Sequence, residues 1–120
     1  MKKPFFFAAL MVFLFVAAAY AGEKFGVQIY PGAKLDTAAS KILKEQIGAN
    51  GFCYRTNDSV QNVAEFYKKK GLSPMGDMRP EGAGFKTKTG VHVTIQNPWM
   101  DMETGKMIKD TLISIVKVTD

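Results

Sequence analysis

Seven side chains carry most of the ligating and nucleophilic chemistry of this sequence: Cys53, His92, Met75, Met78, Met100, Met102 and Met107. Cys53 is the single cysteine and His92 the single histidine, so the pair is the sole nucleophile-and-base combination on offer. Such a dyad needs hydrogen-bond contact, a third group to orient the base, and an oxyanion donor. Sequence establishes none of these, which leaves a cysteine-dependent enzyme a distant third reading and buried packing the default role of Cys53. The methionines form M-x-x-M at Met75 and Met78, and M-x-M at Met100 and Met102 with Met107 nearby. Thioether sulfur is a soft donor suited to Cu(I), so copper handling is one reading of these loops. The plainer reading, and the expected one, is that the methionines fold back and fill gaps beneath the loops.

Other catalytic constellations are missing from the sequence. It has no C-x-x-C-H, H-E-x-x-H, G-x-S-x-G or phosphate-loop motif. No catalytic residue is assigned, and no cofactor is expected, copper at the loop methionines being the one alternative.

Hydrophobic periodicity and turn residues set out the elements that must hold these groups. Residues 25–29 alternate apolar with small or polar residues and read as a strand, ended by Tyr30-Pro31-Gly32-Ala33. Residues 36–47 read as a helix stopped by Gly48, and residues 52–56 as a second strand. The best-specified element follows. Asp58 and Gln61 suggest a capping box, Val60, Val63, Ala64 and Tyr67 recur at helical spacing, and Gly71 with Leu72 suits a left-handed cap. Residues 73–84 read as a loop, residues 84–89, 91–96 and 111–118 as three strands, and residues 97–110 as a longer connection. The order predicts an α+β domain: an antiparallel sheet of about five strands with two helices packed on one face.

Strand parity turns Val91, Val93 and Ile95 toward the helices and His92, Thr94 and Gln96 away from them. If Tyr54 also faces inward, Cys53 and Arg55 share the outer face. Tyr30, Cys53, Arg55, His92 and Gln96, with Trp99 in the following loop, therefore form the candidate surface for a ligand or partner. A solvated face explains the same pattern.

The segments Tyr30-Pro31-Gly32-Ala33, Tyr54-x-Thr56-x-Asp58-Ser59 and Val63-x-x-Phe66-Tyr67-Lys68 resemble the layout of small exported bacterial domains of unassigned function. The resemblance covers most of the chain after residue 21. It implies the α+β fold through a turn, a capped helix and its packing face, and it implies no activity and no catalytic residue.

The first 21 residues give the address. Lys2 and Lys3 precede an apolar run from residue 5 to 19, and Ala19-Tyr20-Ala21 places small residues before Gly22. That is the pattern of a signal peptide cleaved before Gly22, leaving residues 22–120 as a single domain in the periplasm or secreted. As a helix, residues 5–21 span roughly 25 Å against a bilayer core of about 30 Å, so no stable membrane anchor is expected. Cleavage removes two lysines and lowers the net charge from +5 to +3, spread without a basic stripe, so no nucleic-acid partner is expected. The leading expectation is a noncatalytic binding or interaction module of the bacterial envelope, taking an envelope protein or a small ligand, with self-association open. The alternative is a periplasmic Cu(I)-handling protein using the loop methionines.

Overall fold

In the computed structural model, which describes residues 22–118, the chain first reverses at Phe25-Gly26. Both residues take positive φ, 55° and 79°, as a type I′ hairpin turn requires. They join β1 (Glu23–Lys24) to β2 (Val27–Gln28) in an antiparallel ribbon. The alternation over residues 25–29 therefore belongs to a hairpin and not to one strand. Phe25 accepts the left-handed conformation with its ring held 6.0 Å from that of Phe52. The next turn is as expected: Ala33 N–H donates to Tyr30 O at 3.1 Å, with Gly32 at φ 82°. The candidate signal sequence, residues 1–21, lies outside the described residues.

β3 (Lys34–Asp36) runs directly into α1 (Thr37–Ile42), which Asp36 caps by accepting the Ala39 N–H at 2.9 Å. The helix then widens into a π turn, Leu43–Ile47, ended by Gly48 at φ 70°. The Ser40 hydroxyl donates to the Asp36 carbonyl at 2.7 Å and accepts from the Cys53 N–H at 2.8 Å. One side chain thus ties α1 to β4 (Asn50–Thr56) where β3 stops.

The second helix, α2 (Val60–Lys69), is capped by Ser59, whose Oγ accepts the Asn62 N–H at 3.1 Å. Asp58 is not the cap, because its carboxylate takes the Tyr30 hydroxyl instead. At the other end Gly71 N–H donates to Lys68 O and Leu72 N–H to Tyr67 O, the pair of bonds that defines a Schellman cap. Val60, Val63, Ala64 and Tyr67 are all buried, as their spacing requires.

The remaining strands are β5 (Ser73–Pro74), β6 (Gly82–Lys86), β7 (Val91–Gln96), β8 (Trp99–Met100), β9 (Met107–Ile108) and β10 (Thr111–Lys117). The main sheet has six strands in the order β3-β4-β10-β7-β6-β5, antiparallel throughout. β8 and β9 form a separate hairpin within the connection that reads as a loop in sequence. The fold is α+β as expected, with one more sheet strand than the expected five.

The helices do not share a face. α2 covers the side of the sheet carrying Tyr54, Phe85, Val91, Val93, Ile95, Ile113 and Ile115, all buried in one core. Cys53 alternates with Tyr54 and so points the other way, where Ala39 and Leu43 of α1 and the π turn pack against Cys53, Trp99 and Leu112. Gly51 makes room for that second layer: a Cβ there would lie 2.9 Å from Leu43 Cδ2 and 2.8 Å from Ile115 O. An apolar stripe tells a helix to pack, and it is the absent side chain at Gly51 that admits α1 on the second side.

Candidate functional site

The second face of the sheet is only part-covered, and the gap between its two covers is a cleft of about 390 Å³. One wall is α1 with the π turn, contributing Ile42, Leu43 and Ile47; the other is the β8–β9 hairpin, contributing Trp99, Met100 and Met102. Cys53, Leu112 and Ser114 line it from the sheet strands. Volume and lining match a small-ligand site, largely apolar with a few polar groups. Ile47 is 72% exposed and Met100 and Met102 are 54% and 58% exposed. Exposed apolar side chains on both walls therefore face solvent beside a buried indole.

The indole is held by charge. Trp99 Nε1–H donates to Asp110 Oδ1 at 2.8 Å, and Arg55 Nε and Nη2 both meet Asp110 Oδ2 at 2.8 Å. The guanidinium lies 5.3 Å from the Trp99 ring centroid, within cation–π range, and its Nη1 lies 3.6 Å from the Asp36 carboxylate. Arg55 is thus committed to two carboxylates and one ring. It positions the wall of the cleft and does not offer a free charge to an anion.

Behind this network is a larger, more polar groove of about 690 Å³, lined by residues that include Lys34, Asp36, Arg55, Asp58 and Asp110. Size alone favours that groove as the site. Arg55, Asp36 and Asp110, however, already satisfy one another and Asp58 takes the Tyr30 hydroxyl, whereas the smaller cleft presents apolar surface with no internal partner. The smaller cleft is the better candidate.

Cys53 is 2% exposed, with Sγ 3.5 Å from Ser114 Oγ. Burial pushes its thiol above the ordinary value and the charge of Asp36 adds to this, while hydrogen bonds with Ser114 and Ser40 pull the other way. A nucleophilic cysteine needs the opposite shift. His92 offers no help. Cys53 pairs with Ser114, Ser114 with Thr94, and His92 lies two residues further along β7. Two strand spacings and a two-residue offset separate the groups by roughly 12 Å. Native Cys53 is expected to react with a thiol reagent at least about a hundredfold more slowly than in denaturant, and labelling at the solvent rate contradicts its burial. Because the folded value is raised, the stability it contributes is full below the unfolded thiol pKa of about 8.5 and declines as pH climbs through the folded value. Cys53→Ala is expected to flatten that decline in thermal melts taken just above that pH.

The expected surface residues divide. Cys53, Gln96, Trp99, Met100 and Met102 meet in the cleft, with Arg55 behind Trp99. His92 is on the correct face of β7, opposite Val116 and Lys86, but outside the cleft. Tyr30 belongs to the other side of the molecule, edge-on to Phe66 at 5.3 Å. Met75 lies over β6, with Cε 3.4 Å from the place a Cβ on Gly84 would occupy. Met107 pairs with Met100 on the hairpin, and Met78 is exposed in the β5–β6 connection. The methionines are therefore two groups and not one. Ile42, Leu43, Ile47, Leu112 and Ser114 were not expected in a site. An isoleucine immediately before the helix stop at Gly48, with the side-chain-free Gly51 on the adjoining strand, was the available signal.

Comparison with protein-family models, curated proteins and solved structures finds no match for this chain. The site's chemistry therefore rests on its own geometry.

Proposed function

We propose that this protein is a noncatalytic binding module of the bacterial envelope, exported and released by cleavage before Gly22, and that the cleft on the second sheet face is where it binds. The observation that carries the reading is the cleft itself: ligand-sized, apolar-walled, and bordered by an indole fixed through Asp110 and Arg55. A buried thiol with a raised pKa, far from His92, supports binding over turnover. The ligand class that suits these walls is a small amphipathic molecule, its apolar body against Trp99, Leu43 and Leu112 and its polar end toward Gln96 or the rim.

Trp99 is the single tryptophan of the chain, so its fluorescence reads the cleft directly. Titration of the mature protein with decanoate, and separately with anilinonaphthalene sulfonate, is expected to shift Trp99 emission saturably. Ile47→Asp is expected to weaken binding at least about tenfold, because it places a charge in the apolar rim. Ile47 is mostly exposed, so the substitution leaves the fold intact. Neither probe moving the Trp99 signal sinks the proposal.

A further inference from the structure

We propose that the outward side of the β8–β9 hairpin is a Cu(I) site in which the thioethers of Met100, Met102 and Met107 are the ligands. Two of its three ligands, Met100 and Met102, also line the cleft, and Met107 does not.

The hairpin has two sides because its strands alternate. Trp99 pairs with Ile108 and both turn toward the sheet, packing with Cys53 and Leu112. Met100 pairs with Met107, one position on, and both therefore point away. Directly opposed residues hold their Cβ atoms about 5 Å apart, so two flexible thioethers can converge on one ion. Met102 follows in the turn at the hairpin's end and lines the same cleft as Met100. The turn is closed by Asp101 N–H to Lys106 O at 2.8 Å and Gly105 N–H to Asp101 O at 2.7 Å. Met102 thus sits on the short, hydrogen-bonded loop that follows Met100, from which its flexible thioether can reach toward the Met100–Met107 pair.

Exposure rules out packing as the purpose of these methionines. Met100, Met102 and Met107 are 54%, 58% and 52% exposed, so they fill no gap beneath the loop. Apolar contact with a partner would be served equally by leucine or valine. What distinguishes this surface is sulfur at each of these three positions. The base of the hairpin is anchored by the Trp99–Asp110 bond, so less order has to be created when an ion binds.

The chemistry selects the metal. Among the described residues no group of three His, Cys, Asp or Glu side chains is placed to hold an ion, which disfavours zinc and hard divalent cations. Asp101 and Glu103 are offset on the same segment by Lys106 and Lys109, so no strong local field attracts a highly charged ion. Neutral thioethers suit a soft monovalent ion, and Cu(I) is the one proteins bind in this way. Ligation through sulfur releases no proton, unlike ligation through thiol or imidazole.

The test is a competition between the mature protein and the chromophoric Cu(I) chelator bicinchoninate, without oxygen. The protein is expected to withdraw one equivalent of Cu(I). Met100→Leu, Met102→Leu and Met107→Leu are each expected to weaken uptake by about tenfold or more, with circular dichroism unchanged. Met75→Leu with Met78→Leu is expected to leave uptake as it was. Uptake is also expected to hold between about pH 5 and pH 7, where a site built on Cys53 or His92 weakens as its ligands protonate. Absence of uptake, full uptake by Met107→Leu, or loss of uptake on acidification each overturns the proposal. Met107 does not line the cleft, so its variant separates copper binding from ligand binding.

Discussion

Tyr67→Ala is expected to remove about 4 kcal/mol of unfolding free energy, which is large against a total of about 5–15 kcal/mol for such a domain. Tyr67 is completely buried and stands where three parts of the first layer meet. Its ring is edge-on to Phe66 at 5.1 Å and tilted against Phe85 of β6 at 6.5 Å. Its hydroxyl donates to the Gln28 carbonyl at 2.9 Å, tying α2 to the β1–β2 ribbon. Burial pushes the phenol pKa upward, and the neighbouring Tyr54 and Tyr30 phenols add to this against the pull of a backbone hydrogen bond, so the group stays neutral and donating at ordinary pH. Tyr67→Phe keeps the ring and loses only the bond, and is expected to cost about 1 kcal/mol. Urea denaturation of both variants separates the two contributions. Equal losses would assign the effect to the hydrogen bond and contradict the packing account.

Asp110→Ala is expected to cost about 2 kcal/mol and, unlike Tyr67→Ala, to damage binding in the cleft as well. The carboxylate accepts from Trp99 Nε1 and from two nitrogens of Arg55. The Arg55 side chain is 40% exposed, so solvent screens part of the pair and the value belongs well below that of a fully buried bridge. Removal leaves the Trp99 N–H without its acceptor and frees the ring to rotate. Trp99 emission should then broaden and shift to longer wavelength, and decanoate affinity should fall about tenfold. Asp110→Asn retains an acceptor for the indole and should keep more of the binding than of the stability. An alanine variant with native Trp99 emission would show that packing against Leu112 and Cys53 orients the ring without help.

Periodic elements were legible in the sequence, and relations between elements were not. Val60, Val63, Ala64 and Tyr67 announced α2, and Gly71-Leu72 announced its end, because cap and stripe are local physics. Parity along β7 correctly divided Val91, Val93 and Ile95 from His92, Thr94 and Gln96. The ribbon at the start was misread because Gly26 fits both an alternating strand and a turn, and positive φ at Phe25 is rare for an aromatic. The β8–β9 hairpin was hidden by its two-residue strands, too short to show a period. The cleft depended on α1 crossing to the second face, and the clue was a glycine, which marks space without saying what fills it. One wall of the candidate site therefore came from residues with nothing chemical about them: Ile42, Leu43 and Ile47.

The position of β10 bears on when this chain can fold. β10 lies between β4 and β7 in the sheet, yet it follows every other described strand in sequence. Before residues 111–117 are made, β3 and β4 form one fragment and β5, β6 and β7 another, with no strand pairing between them. Neither fragment closes a core alone, since Ile113 and Ile115 supply its centre. Such non-local pairing makes sheet formation slow and late. A nascent chain with this topology keeps its main sheet open until residues 111–117 have been made, the state that export as proposed above would need.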